Sequence, residues 1–219
     1  MPRESKANKT ARAARIFAEL GKLFPDAHCS LNYSNSLELL VATILSAQCT
    51  DERVNIVTAD LFAKYPTLDA YLAATQEEFE QDIRSTGFYR NKAKNILAAT
   101  ARIADVYGGD VPQTMDELLT LGGVARKTAN VVLGNAFGIN EGFVVDTHVG
   151  RLSGRMKFTT ETNPVKIERD MMAIRPQALW SLDSHLLVFH GRGHCTARRP
   201  DCETCPLAKK KLCPSAGKV

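Results

Sequence analysis

The chain has 219 residues, of which 44% are hydrophobic and 24% are charged, and its formal net charge is +4. This composition is typical of a soluble globular protein with one large domain or two small ones. It excludes a membrane-spanning helix, because no apolar run approaches the required length of about 20 residues. The polar start, Met1 to Thr10, lacks the apolar region of a secretion signal. We therefore expect a frayed basic arm there, no membrane partner and a reducing compartment.

The positive charge is concentrated in two places. One block, from Arg84 to Arg102, has basic residues and no acid: Arg84, Arg90, Lys92, Lys94 and Arg102. The other is the C-terminal tail from His190 onward, where basic residues outnumber acidic ones. Two basic patches on an otherwise balanced chain indicate a surface for a polyanion. Solvated helix faces are the alternative.

The apolar spacing is helical almost throughout, and no segment alternates as a half-buried strand would. A first helix is predicted from Ala11 to Phe24, and the segment Leu37 to Ala47 is apolar nearly all round, as in the central helix of a bundle. Helix starts are marked by two capping boxes and by an Asn-Pro pair: Thr75 with Glu78, Thr114 with Glu117, and Asn163-Pro164. The sequence predicts an all-α fold of around ten short helices.

A glycine pair, Gly122-Gly123, separates two helical patterns, and the second pattern opens on Arg126 and Lys127. Backbone N–H groups and positive charge at a helix N-terminus suit an anion such as phosphate. An ordinary turn with a solvated lysine is the commoner meaning of such a pair. The helix is followed by Val144-Val145-Asp146-Thr147-His148. There Asp146 is expected to be an N-cap whatever else it does, and His148 a hydrogen-bonded structural residue.

Four cysteines lie within the last 25 residues, at Cys195, Cys202, Cys205 and Cys213. Prolines between them disfavour helix and predict a folded loop. Without a secretion signal, disulfides are disfavoured. A tetrahedral zinc site usually has two close Cys pairs, whereas this loop has one, so the long spacings favour a 4Fe–4S cluster over zinc. The cluster could be redox-active, or it could be a staple that fixes Arg198 and Arg199 for phosphate contacts. The remaining cysteines, Cys29 and Cys49, are expected to be small buried hydrophobes.

These motifs in combination resemble the endonuclease III branch of the helix-hairpin-helix DNA glycosylases. The resemblance rests on the glycine hairpin, the Val-Asp-Thr-His segment, the cysteine loop and the upstream segment Leu45-Ser46-Ala47-Gln48-Cys49-Thr50-Asp51. It covers nearly the whole chain, from about Arg15 to Cys213.

The resemblance implies roles for individual residues. Lys127 matches the lysine that attacks the sugar C1′ of a damaged nucleotide and forms a Schiff base, and Asp146 matches the carboxylate that supports the developing positive charge. Gln48 matches the residue that fills the gap left by the flipped nucleotide, and Phe88 matches an apolar wedge. Without the resemblance, a polar helix end and a core aromatic would be preferred for these two. The predicted DNA-binding hairpin comprises Gly122, Gly123, Val124, Ala125 and Arg126, and the four cysteines match the 4Fe–4S ligands.

The resemblance also implies two helical domains. A six-helix barrel with the helix-hairpin-helix would span residues 29–140, and an iron–sulfur domain would combine residues 1–28 with 141–219. The expected activity is that of a DNA glycosylase and abasic-site lyase acting on oxidised or ring-damaged pyrimidines in duplex DNA. We further expect a monomer in the bacterial cytoplasm, associated with the nucleoid.

Three features depart from the family pattern: the hairpin, the last cysteine spacing and the wedge residue. The family hairpin usually reads Leu-Pro-Gly-Val-Gly, whereas this chain has Gly122 and Ala125 at the variable positions. A looser turn is expected at Gly122, and a weaker phosphate grip at Ala125. Seven residues separate Cys205 from Cys213, where five are usual in close relatives. Phe88 is bulkier than the usual aliphatic wedge.

Other functions are compatible with parts of the pattern. Mismatch and adenine glycosylases of the same superfamily share the hairpin and the aspartate, but those branches lack a lysine at the position of Lys127. A glycosylase with weak or no lyase activity, a non-catalytic iron–sulfur DNA-binding protein and an electron carrier are further alternatives. The last two give no reason for Lys127 to accompany Asp146.

Overall fold

The computed structural model describes residues 4–218, and within that range the chain forms twelve α-helices, two 3-10 turns and no strand. The predicted all-α fold is confirmed, with slightly more helices than expected. The chain divides into two compact units, one from Cys29 to Ile139 and the other made of the residues on both sides of it. Each unit has its own hydrophobic core.

The helices of the unit from Cys29 to Ile139 are α2 (Ser36–Leu45), α3 (Asp51–Lys64), α4 (Leu68–Ala73), α5 (Gln76–Asp82), α6 (Tyr89–Tyr107), α7 (Met115–Leu118) and α8 (Arg126–Ala136), with a 3-10 turn at Arg84–Thr86. The helices of the other unit are α1 (Lys6–Leu23), α9 (Thr147–Arg155), α10 (Pro164–Met172), α11 (Trp180–Gly193) and α12 (Pro206–Lys209), with a 3-10 turn at Gln177–Leu179.

Helix α2 is the centre of its unit, as its apolar sequence predicts. Every residue from Leu39 to Leu45 is buried, and the helix packs against α3, α6 and α8. A helix that is apolar on all sides has to be enclosed by other helices, because any exposed face would leave apolar area in water. Helix α6 lies against α2, α4 and α5, and its first residue follows Phe88.

The predicted helix starts are confirmed. The Thr114 hydroxyl accepts a hydrogen bond from the Glu117 N–H at 3.3 Å and donates one to the Glu117 carboxylate. Thr75 caps α5 in the same way through the Glu78 N–H, at 3.2 Å. Asn163 caps α10, where Pro164 is the first helical residue. These caps satisfy N–H groups that have no partner within their helix.

Helix α1 begins earlier than its sequence suggests. The Ser5 side chain accepts a hydrogen bond from the Asn8 N–H at 3.2 Å, so the helix runs from Lys6 rather than Ala11. Arg12 on this helix pairs with Glu4 at 2.7 Å. The expected frayed arm is therefore wrong for residues 6–10, while residues 1–3 lie outside the described part of the chain.

A buried ion pair joins Arg175, which follows α10, to Asp183 in the first turn of α11. Arg175 contacts both carboxylate oxygens of Asp183, and these side chains are 8% and 2% exposed. The guanidinium also lies over the Phe17 ring, 4.5 Å from its centroid. Burial raises the pKa of Asp183 above its usual value, and the Arg175 hydrogen bonds oppose that rise. The pair therefore depends on both partners.

Substituting Arg175→Met should destabilise the protein by about 3–5 kcal/mol at pH 7, because it leaves the Asp183 carboxylate buried without its cation. Urea unfolding measures this loss. A raised folded-state pKa means that the folded protein binds the proton more tightly than the unfolded chain does, so the variant should recover stability as the pH falls through the pKa of Asp183 in the folded protein. In the control variant Lys64→Met, which breaks an exposed ion pair with Glu78 and Asp82, the loss should stay below about 1 kcal/mol. An Arg175→Met loss no larger than the control's would contradict this account.

Candidate functional site

The glycine hairpin leads into α8 and presents Lys127 on its first turn. Ala125 is the N-cap in extended conformation and provides no side-chain hydrogen bond to the helix, in contrast to the capped α10. Lys127 is the second residue of α8 and is exposed. Since the first turn of a helix has no carbonyl partners of its own, this end can receive an anion from outside the chain. Val124 is buried and anchors the hairpin to the core.

Gly122 and Gly123 are required by a close contact with α6. A Cβ on Gly122 would lie 2.8 Å from the backbone oxygen of Asn95. A Cβ on Gly123 would lie 3.0 Å from the Asn95 Cβ, and the φ of Gly123 is +74°, which favours glycine. The looser turn expected at Gly122 is therefore wrong. The missing side chain allows the hairpin backbone to lie directly on α6.

Gln48 and Phe88 are both exposed and both have left-handed backbones, with φ values of 54° and 48°. Gln48 lies in the turn after α2, and Phe88 immediately precedes α6. Phe88 is 63% exposed, which excludes the alternative that it is a core aromatic. Such backbones are uncommon for residues other than glycine and are often found at functional sites.

The predicted basic surface between Arg84 and Arg102 is wrong at Lys92. This side chain is only 5% exposed, and its ammonium donates hydrogen bonds of 2.8 Å to the carbonyls of Leu45 and Thr86. Burial lowers the pKa of Lys92 below its usual value. Helical spacing does separate this lysine from the exposed Lys94, because Lys92 falls on the same face of α6 as the buried Ile96 and Ile103 and Lys94 falls on the opposite face. A count of charges along the block does not use that signal.

Asp146 is the N-cap of α9, in the unit that contains both chain ends. Its carboxylate accepts a hydrogen bond from the Val149 N–H at 2.7 Å, which confirms the predicted capping role. The residue is half-buried. His148 contacts Arg151 through Nδ1 at 3.1 Å, consistent with a structural histidine.

The four cysteines of the C-terminal loop line one cavity. Cys195, Cys202, Cys205 and Cys213 surround a space of about 380 Å³, counted together with the part open to solvent. Among the described residues, no three His, Cys, Asp or Glu side chains are grouped so as to hold a single metal ion. Four thiols that line one cavity suit a group held by several cysteines, such as a four-iron cluster.

Burial and nitrogen donors shape the electrostatics of this cavity. Burial raises the pKa of the Cys205 and Cys213 thiols, and the neighbouring cysteines contribute to the rise. A bound metal would offset this cost because it holds cysteine as thiolate. Arg155 Nη1 lies 3.3 Å from the Cys195 Sγ, and His190 Nε2 lies 3.7 Å from the Cys205 Sγ. The Arg155 donor beside the Cys195 sulfur suits a ligand that carries negative charge.

Arg155 also holds the loop that carries Arg198 and Arg199. Its guanidinium donates to the carbonyls of Thr196 and Ala197, at 2.7 and 2.9 Å. Arg198 and Arg199 are exposed beyond these contacts, as a phosphate-binding role requires. The sequence does not reveal Arg155, since it lies 40 residues before Cys195.

The other two cysteines are less buried than expected. Cys29 and Cys49 are half-buried and pack against the core of the unit from Cys29 to Ile139.

The short helix α12 begins at Pro206, so this proline starts a helix turn inside the loop rather than excluding one. No helix in the described range combines the length and the apolar character that crossing a membrane requires.

Two family models match the chain. The model of the HhH-GPD superfamily of base excision DNA repair proteins matches residues 41–177. The model of the iron–sulfur binding domain of endonuclease III matches residues 195–209, which include three of the four cysteines. The second match, together with the cysteine cavity, identifies the cofactor as a 4Fe–4S cluster.

Similar proteins share most of their length with this chain. The endonuclease III of Synechocystis sp. is 56% identical over 210 residues, which are 96% of this chain and 95% of that protein. The endonuclease III of Escherichia coli is 36% identical over 209 residues, 95% of this chain and 98% of that protein. A solved structure of a trapped endonuclease III–DNA covalent intermediate has a TM-score of 0.88 and 48% identity, covering 94% of this chain and 96% of that chain. The chain therefore belongs to the endonuclease III family within the HhH-GPD superfamily of base excision DNA repair proteins.

Proposed function

We propose that this enzyme is a DNA glycosylase and abasic-site lyase that removes oxidised or ring-damaged pyrimidines from duplex DNA. The observation that carries the proposal is the exposed lysine on the uncapped first turn of α8, behind a glycine hairpin packed on α6. A structure related at 48% identity contains a trapped covalent intermediate with DNA, and such chemistry requires a nucleophile on the protein.

Lys127 is the proposed nucleophile. Its unprotonated Nζ attacks the sugar C1′, the bond from C1′ to the damaged base breaks, and the base leaves with the bonding electrons. The bond between C1′ and the ring oxygen of the sugar then breaks, the oxygen takes up a proton, and a Schiff base forms between Nζ and C1′. Removal of a C2′ proton expels the 3′ phosphate by β-elimination, and hydrolysis frees Lys127. Asp146 supports the developing positive charge and accepts or returns protons.

The DNA contacts are proposed for three turns and one loop. The hairpin from Gly122 to Arg126 offers N–H groups to backbone phosphates, and Arg198 and Arg199 neutralise further phosphates. Gln48 fills the space left by the flipped nucleotide, and Phe88 is inserted as an apolar wedge. Flipping costs a few kcal/mol of lost stacking, which these side chains help to offset.

We propose all four cysteines, including Cys213 beyond the matched segment, as ligands of the 4Fe–4S cluster. The cluster supplies the metal–thiolate bonds that hold residues 195–213 in one loop. We also propose that residues 29–140 act as the six-helix barrel domain and residues 1–28 and 141–219 as the iron–sulfur domain. The protein would work as a monomer on chromosomal DNA in the bacterial cytoplasm.

Borohydride trapping on a duplex that contains thymine glycol tests the nucleophile. The wild-type protein should form a covalent adduct, and Lys127→Ala should form none, because no other residue is proposed to make the Schiff base. Lys166→Ala is a matched control, since Lys166 is also an exposed lysine in the first turn of a helix. It should trap at the wild-type level. No adduct with wild type, or full trapping by Lys127→Ala, would contradict the mechanism.

The hairpin is tested by Gly123→Ala. The left-handed φ and the contact with Asn95 should shift the loop, and affinity for undamaged duplex should fall by about tenfold at low salt. Gly108→Ala is the control, because Gly108 also has a positive φ of +64° but has open space around its Cβ position. That variant should lose stability and keep its affinity. Equal affinity losses in both variants, measured by fluorescence anisotropy, would refute a specific role for the hairpin.

The ligand set is tested by iron content. The wild-type protein should be yellow-brown with about four irons per chain, and Cys213→Ser should lose iron and visible absorbance. Cys29→Ser changes a half-buried thiol outside the cavity and should retain both. A colourless active protein with stoichiometric zinc, or a Cys213→Ser protein with full iron, would show that the assignment is wrong.

A further inference from the structure

Lys92 connects two turns that are far apart in sequence. Its Nζ donates to the carbonyl of Leu45, the last residue of α2, and to the carbonyl of Thr86, the last residue of a 3-10 turn, both at 2.8 Å. The last carbonyls of a helix have no partner within it and carry partial negative charge. One ammonium therefore caps two chain segments at once, at a site that is almost completely buried.

Each capped segment leads directly to an exposed residue with a left-handed backbone. Gln48 follows Leu45 by three residues, and Phe88 follows Thr86 by two. The described residues include only four such non-glycine positions, and two of them flank the Lys92 contacts. Lys92 is also bound to Phe88 through the backbone, because its own N–H donates to the Phe88 carbonyl at 3.1 Å. Strained backbones persist only where the surrounding contacts hold them.

The packing around the ammonium makes it an effective brace. The buried carbonyls of Leu45 and Thr86 would lack their charged partner without it, and each turn could then move separately. Thr86 is itself fixed, since its hydroxyl donates to the Ile83 carbonyl at 2.8 Å. Burial lowers the pKa of Lys92, and the nearby Cys49 opposes that effect. The brace therefore involves buried groups on α2, α6 and the 3-10 turn between α5 and α6.

We propose that Lys92 is a positioning residue that sets Gln48 and Phe88 at a fixed separation, so that they enter the DNA as one unit. This inference rests on the proposed function, because it assumes that the two side chains contact a duplex from which a nucleotide is flipped. Lys92 itself does not contact DNA. It acts through the backbones of the two turns, and its effect is confined to substrates in which base stacking is broken.

The test compares binding to two duplexes of the same sequence, one undamaged and one with a tetrahydrofuran abasic-site analogue. Lys92→Met keeps an unbranched apolar stem and removes both hydrogen bonds. It should lower the preference for the abasic duplex by about tenfold and leave affinity for undamaged duplex nearly unchanged. Lys94→Met, on the same helix but exposed, removes the same charge and should weaken both duplexes alike.

A double-mutant comparison separates positioning from general stability. In a Gln48→Ala, Phe88→Ala background, Lys92→Met should change the preference by less than about twofold, because the side chains that it positions are absent. An undiminished effect in that background overturns the proposal. So does a Lys92→Met protein that keeps the wild-type preference.

A third measurement covers the case in which Lys92→Met does not fold. With Lys92 intact, the double variant Gln48→Ala, Phe88→Ala should lose no more preference than the worse single variant, since the two residues act together. Independent losses that multiply overturn the proposal. A wild-type protein with no preference for the abasic duplex would instead contradict the proposed function, so the two failures can be distinguished.

Discussion

The first seven residues of α6 contact all three loops of this unit that are proposed to bind DNA. Lys92 holds the segments before Gln48 and Phe88, and Asn95, three residues later on the same helix face, supports the glycine hairpin. One contact is a buried charge on two carbonyls, and the other is backbone packing that tolerates no side chain. Both the Lys92 hydrogen bonds and the packing of the hairpin on Asn95 tie these turns to α6. Such preorganisation is what a site that must hold an extruded nucleotide requires.

In the unit built from both chain ends, the feature to be explained is how the C-terminal cysteine loop is held in place. Its C-terminal loop is held by Arg155, which donates to the carbonyls of Thr196 and Ala197, and by Leu207 and Leu212, which are buried in the core of this unit. Arg198 and Arg199 are thereby exposed on a loop that is fixed at its base. Asp146 is held in the same unit by the first turn of α9. Bonds from the cysteines to a cluster would add to this core, whereas the unit that carries Lys127 is built around the apolar α2.

Local sequence patterns were sufficient to predict the helical fold and the kind of cofactor. Periodicity, capping motifs and cysteine spacing are local patterns, and they predicted the all-α fold, the starts of α5, α7 and α10, and the iron–sulfur loop. Contacts between distant segments were not predictable. Helical spacing puts Lys92 on the buried face of α6, but it does not identify the two carbonyls that the ammonium contacts. Gly122 suggested a loose turn because its contact with Asn95 cannot be seen in the local sequence. The left-handed backbones at Gln48 and Phe88 likewise depend on tertiary contacts.

The most direct test of the account is to identify the protein atom joined to DNA. After borohydride reduction on a thymine glycol duplex, the adduct can be digested with protease and nuclease and mapped by tandem mass spectrometry. The account predicts one modified peptide, with the sugar remnant on Lys127 Nζ. A remnant on the N-terminal amine or on another lysine would contradict it, because the hairpin and α6 would then hold a residue that does not carry out the reaction.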